Sequence, residues 1–102
     1  MAQFFSHLRR ATMNVDNLSP LSRALLMQAL PAGQLVNVLY RDGSRVQLGF
    51  DRERRCFALG ERGWLSFLGW EGAPSGGADY ASRWGLTGAA RELLTGQERH
   101  AA

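Results

Sequence analysis

The dipeptide Asp42-Gly43, with the apolar residues on both sides of it, constrains the fold more than any other feature of the sequence. Apolar and polar residues alternate before and after it, which is the period of a β-strand. Asp-Gly favours the type I′ turn of a two-residue hairpin, and such a turn places Leu39 opposite Val46. The large apolar side chains of both strands then share one face. The sequence therefore predicts a β-hairpin over residues 34–50.

A helix is predicted upstream of this hairpin. The Ser19 hydroxyl is a suitable N-cap, and Pro20 follows at the first helical position, where its missing N–H costs nothing. Leucine and alanine residues repeat at helical spacing over residues 21–30, and Pro31-Ala32-Gly33 ends the helix. A further short helix is expected within the N-terminal segment, residues 1–14.

The remainder of the chain is predicted to continue the sheet and to close with a helix. Further strands are expected at 55–59, 64–70 and 80–84, an exposed loop at 71–79, a helix at 89–94 capped by Thr87 and ended by Gly96, and a polar tail at 97–102. The 102 residues suffice for one domain and are too few for two. We therefore expect one α+β domain with one or two N-terminal helices, an antiparallel meander of four or five strands able to close into a small bent barrel, and a C-terminal helix.

Arginine placement is the main functional signal. The chain carries 12 basic residues, all of them arginine, against 9 acidic ones, for a net charge of +3. The lack of lysine and isoleucine is typical of a GC-rich genome, so only the positions of the arginines are informative. Within residues 41–62 they are Arg41, Arg45, Arg52, Arg54, Arg55 and Arg62.

Such a cluster favours contacts with nucleic-acid phosphates. The alternative is a solvated surface with local ion pairs, because four acidic residues alternate with these arginines: Asp42, Asp51, Glu53 and Glu61.

A group of aromatic residues gives the second functional signal. Trp64, Trp70, Tyr80 and Trp84 lie close together along the chain. Filling of the core is one interpretation, and a protein interface is the other. Strand alternation places Trp64 and Trp70 on the face opposite Phe67, so at least one of the two tryptophans is expected to be exposed.

Catalysis, metal binding and membrane insertion find little support. His7 and His100 lie near the two ends without partners at metal-ligand spacing, and Cys56 is expected to be a buried, inert thiol. Gly60-x-x-Gly63 matches the phosphate-clamping loop of KH domains, but a tight turn explains it better. No run approaches the roughly 20 apolar residues of a membrane-spanning helix. We expect a cytoplasmic protein that is not an enzyme and has no cofactor or metal.

Two stretches resemble known architectures. Residues 18–70, a helix followed by a meander with an Asp-Gly hairpin, look like Sm-like RNA-binding barrels. Residues 84–94 are similar to the exit from the wing of some winged-helix repressors. Neither stretch carries a family-specific motif, and no family is assigned.

The expected function is that of a small regulatory binding protein of bacterial or phage type. It is expected to contact nucleic acid or a nucleoprotein complex through the arginines of residues 41–62. The alternative is an inhibitor or adaptor that binds a protein through Trp64, Trp70, Tyr80 and Trp84. The sequence leaves the choice between DNA and RNA, and the oligomeric state, open.

Overall fold

The computed structural model of the protein describes residues 13–74, 77 and 79–101. After a 3-10 turn at Val15–Asn17, the elements are α1 (Pro20–Ala29), β1 (Gln34–Leu39), α2 (Val46–Glu61), β2 (Leu65–Gly72), β3 (Tyr80–Leu86) and α3 (Gly88–Ala101). The predicted α+β class is confirmed, and the described residues form three strands in place of the expected four or five. Of the segment 1–14, where a short helix was expected, residues 1–12 lie outside the described part, and Met13 and Asn14 are not helical.

The predicted helix starts are confirmed by their capping contacts. The Ser19 hydroxyl accepts a hydrogen bond from the Ser22 amide at 3.1 Å, with Pro20 at the first position of α1. The Thr87 hydroxyl accepts from the Ala90 amide at 3.1 Å at the start of α3. The predicted end of α3 is wrong, since the helix continues through Gly96 to Ala101. Gly96 does not adopt the positive φ that ends helices at a glycine.

The predicted hairpin is wrong in its second half. Gly43 does adopt a φ of 97°, as the turn requires, but the chain that follows is helix α2, which also replaces the strand predicted at 55–59. The apolar alternation covers only a few residues, and packing against the rest of the fold overrides so short a strand pattern. What decides is the burial of residues spaced three or four apart: Gly49, Glu53, Cys56 and Leu59.

The strands form an open antiparallel sheet in the order β1-β3-β2, so the barrel is not formed. β1 pairs with β3 from Gln34 opposite Gly85 onward. β2 pairs with β3 through a register shift between Phe67 and Gly69. The strands predicted at 64–70 and 80–84 are present with shifted ends, and the first two residues of the predicted 71–79 loop belong to β2.

Helices α1 and α2 pack against one face of the sheet. Asn37 of β1 and Ser82 of β3 are register partners, and both donate a hydrogen bond to the Glu53 carboxylate of α2. The hydrophobic core lies between this face and the helices. It is formed by Met13, Val15, Leu18, Leu25, Leu26, Cys56, Leu59, Trp64, Leu65, Trp84, Ala90 and Leu94.

Candidate functional site

Helix α2 positions most of the predicted arginines. Arg45 precedes its first turn, Arg52, Arg54 and Arg55 lie along it, and Arg62 follows its last turn. We call these five residues the arginine surface. Arg55 is partly buried, and the other four are exposed. The sixth predicted arginine, Arg41, lies apart in the β1–α2 loop, where its backbone amide donates to Asp79 Oδ1 at 3.0 Å.

Of the four acidic residues that alternate with these arginines in the sequence, Glu53 is turned away from them. Glu53 is only 6% exposed and faces the sheet. Asp51 and Glu61 remain on the exposed side of α2. The exposed side of α2 therefore carries one negative charge fewer than a count of its acidic residues in the sequence would give.

Three guanidinium groups surround a concavity between α1 and α2. Arg54, Arg55 and Arg62 line it together with Ser22, and its volume is about 410 Å³. Arg55 donates to the Ser19 and Ser22 hydroxyls at 3.4 and 3.3 Å, so its partners are neutral.

Ion pairing leaves most of this charge uncompensated. Arg54 Nη2 lies 2.8 Å from Asp51 Oδ1, and both side chains are more than half exposed. A pair of this kind contributes only about 0–1 kcal/mol. Within the described residues, Arg55 and Arg62 form no salt bridge. An anion placed in this concavity would therefore meet guanidinium groups that are still available.

The remaining two arginines lie toward β1. Arg45 and Arg52 line a second concavity of about 220 Å³, which Tyr40 and Asn37 also border. The Arg45 guanidinium is 5.2 Å from the centre of the Tyr40 ring and donates to its hydroxyl at 3.3 Å. The predicted cluster is thus divided between two concavities, and Arg52 and Arg55 also border a third one between α1 and α2.

The predicted aromatic group is also divided. Trp64 and Trp84 are fully buried in the core, with 0% and 2% exposure, so neither is available for contact with a partner. Trp70 and Tyr80 are 52% and 49% exposed. The expectation that at least one of Trp64 and Trp70 is exposed is confirmed by Trp70.

Two phenylalanines join the exposed tryptophan and tyrosine. Phe57 of α2 and Phe67 of β2 are 49% and 43% exposed, and both contact the buried Trp84 ring at 5.2 Å. Phe67 also contacts Trp70, which contacts Tyr80, each at 5.6 Å. We call Phe57, Phe67, Trp70 and Tyr80 the aromatic surface. Phe57 was not expected on this surface because residues 55–59 were predicted to form a strand.

A groove adjoins this surface at one end. It has a volume of about 550 Å³, and its lining includes Met13, Phe57, Phe67 and Trp84. The two phenylalanines therefore face open space on the groove side.

The single cysteine is not a suitable nucleophile. Burial and, to a smaller extent, the nearby Glu53 carboxylate together raise the pKa of the Cys56 thiol to about 12, against the smaller lowering effects of Arg52 and Arg55. A thiol with this pKa stays protonated at neutral pH. In the described part of the chain, no group of three or more histidine, cysteine, aspartate or glutamate side chains is placed to hold a metal ion.

The described helices also lack the combination of length and apolar character that a helix needs to cross a bilayer. Comparison of the chain with protein-family models, with curated proteins and with solved structures gave no match.

Proposed function

We propose that the protein is a non-enzymatic binding protein that contacts nucleic-acid phosphates through the arginine surface. The observation that carries this proposal is the concavity that Arg54, Arg55 and Arg62 line together with Ser22. Guanidinium groups bind phosphate oxygens in pairs, and serine hydroxyls donate to the same oxygens. Because Glu53 is turned into the protein, Asp51 is the only acidic residue bordering this concavity among the described residues.

The salt dependence of binding tests the proposal. We expect the protein to bind a labelled oligonucleotide with an affinity that falls steeply between about 50 and 200 mM salt. Changing Arg54, Arg55 and Arg62 together to Gln should reduce the slope of log affinity against log salt by roughly one unit per lost phosphate contact.

Arg83→Gln is the matched control for charge. Arg83 lies on the opposite face of the sheet, where it forms a salt bridge with Glu71 at 2.7 Å. We expect this variant to keep the parental slope. Equal affinities and slopes for the triple variant and the parent, with both folded by circular dichroism, would remove phosphate binding as the function.

A protein-binding function is the second candidate, and the exposed aromatic surface favours it. Half-exposed aromatic rings in mutual contact are typical of interface anchors. This function predicts that a partner from a host lysate stays bound after nuclease treatment. Retention of that partner should be lost in Trp70→Ser and kept in the triple arginine variant.

A further inference from the structure

The four rings of the aromatic surface are about half exposed, although aromatic side chains of a small domain usually lie in its hydrophobic core. Their contacts are edge to face, with interplanar angles of 83°, 62°, 65° and 65° in the order Phe57–Trp84, Phe67–Trp70, Phe67–Trp84 and Trp70–Tyr80. The rings are therefore held by one another and by the buried Trp84, without being stacked face to face. Rigid aromatic side chains arranged in this way present flat surfaces for a further planar group.

The aromatic surface is continuous with the arginine surface through helix α2. Phe57 follows Arg54 by three residues, and side chains at this spacing are neighbours on a helix, with about 5–6 Å between their Cβ atoms. The Arg54 side chain is 75% exposed, so solvent and a ligand can reach its guanidinium although it is paired with Asp51. Glu61 lies one turn beyond Phe57, which favours the Arg54 end of the helix as the crossing point for an anionic chain.

We propose that the nucleic acid bound by this protein is single-stranded, with its phosphates on the arginine surface and its unpaired bases stacked on the aromatic surface. This inference rests on the proposed phosphate-binding function. Base–aromatic stacking combined with a basic surface is the usual means of binding single strands. A duplex keeps its bases inside the helix, where these rings do not reach them.

The spacing of the rings supports unpaired bases. Phe67, Trp70 and Tyr80 follow one another at centre-to-centre distances of 5.6 Å. Successive bases in a duplex strand rise by only about 3.4 Å. Bases that contact successive rings are therefore separated from one another, as in an extended single strand.

Tryptophan fluorescence provides a direct test, because Trp70 is exposed while Trp64 and Trp84 are buried. The probes are a single-stranded DNA oligonucleotide, an RNA of the same sequence, and the DNA duplex. We expect one or both single strands to quench the fluorescence of the full chain and to bind on the order of tenfold more tightly than the duplex. The two single-stranded arms decide between DNA and RNA, and either supports the proposal.

Two substitutions at Trp70 separate stacking from folding. Trp70→Phe keeps a ring, so it should retain binding and lose the quenching. Trp70→Ser should weaken single-strand binding on the order of tenfold and leave duplex binding unchanged. Leu68→Ser is the control, because Leu68 is 51% exposed on the same strand but lies against Gly85 instead of among the rings.

The outcomes distinguish this inference from the function on which it rests. Equal binding of duplex and single strand without quenching would overturn the stacking inference and leave phosphate binding in place. No binding of any of the three probes at low salt would overturn both. Retention of a protein partner that depends on Trp70, in the absence of nucleic-acid binding, would assign the aromatic surface to a protein interface.

Discussion

Glu53 lies between helix α2 and the sheet, at 6% exposure. Its Oε1 accepts hydrogen bonds from Asn37 Nδ2 at 2.8 Å and from the Ser82 hydroxyl, which in turn accepts from Trp84 Nε1 at 2.9 Å. Its Oε2 has no hydrogen-bond partner within the described residues. One carboxylate thus ties the helix to two strands, and its position also removes a negative charge from the arginine surface.

The pKa of the Cys56 thiol, raised to about 12 from 9.0, makes stability depend on pH. In the unfolded chain the thiol loses its proton near pH 9, while in the folded protein it keeps the proton until about pH 12. The stabilising contribution is therefore complete below pH 9 and is lost as the pH rises from 9 to 12. Cys56→Ala has no thiol to titrate.

We expect the free energy of unfolding of the parent, measured relative to Cys56→Ala in urea, to be lower at pH 10 than at pH 7. A thiol-reactive dye should also label the folded parent much more slowly than the urea-unfolded chain. Rapid labelling of the folded protein, or a difference in stability that does not change with pH, would contradict the raised pKa.

At the scale of elements, the packing of α2 against β1 depends on Gly49. A Cβ at this position would lie 2.8 Å from the Val38 carbonyl oxygen, a backbone atom that cannot move aside alone. The Gly49 carbonyl also accepts a hydrogen bond from Asn37 Nδ2 at 3.2 Å. The absence of a side chain thus allows the helix to approach the edge strand closely.

We expect Gly49→Ala to destabilise the protein by about 1–3 kcal/mol, because the steric conflict outweighs the gain in helix propensity of about 1 kcal/mol. Gly96→Ala in α3 is the matched control. Among the residues that the structure describes, none outside the helix's own backbone lies within 4 Å of its Cβ position, so the same exchange should be neutral or stabilising there. Urea unfolding of both variants measures the difference, and equal effects would contradict the close approach.

The elements that could be predicted from the sequence are those fixed by local contacts. Ser19 and Thr87 each bind an amide three residues ahead, so a short stretch of sequence contains both partners. Helix α2 could not be predicted in this way, since its contacts with Val38, Asn37 and Ser82 depend on residues distant in the sequence.

The candidate site was predictable to the same extent. The arginines of residues 41–62 could be located from the sequence, but their division between two concavities requires a helix at α2. The difference in burial between Trp64 and Trp70 could not be predicted from the sequence either. Trp64 lies outside β2, with its amide donating to the Leu59 carbonyl at 2.9 Å, so strand alternation does not apply to it.

At the scale of the whole molecule, residues from all three helices, from β2 and β3 and from the N-terminal turn share one core. The two fully buried tryptophans lie within it. We therefore expect one cooperative unfolding transition, with tryptophan fluorescence and far-ultraviolet circular dichroism changing together in urea. Transitions with separate midpoints would contradict a single shared core.

Two leucines of α1 allow the same core to be tested by substitution. Leu26 is fully buried, whereas Leu21 on the same helix is 66% exposed. Leu26→Ala should lower the free energy of unfolding by about 2–5 kcal/mol, and Leu21→Ala should change it by no more than about 0.5 kcal/mol. Comparable losses from both variants would show that the face of α1 that carries Leu26 is not the face packed in the core.

The central position of β3 has a consequence for synthesis of the protein. β1 has β3 as its only strand neighbour in the described sheet, and β3 is made after β1, α2 and β2. During synthesis the chain emerges from the ribosome N-terminus first, at about 5–20 residues per second. β1 therefore emerges before β3, the strand with which it pairs. The sheet is therefore expected to form only after β3 has emerged, and the apolar side chains of α1 and α2 are available to chaperones until then.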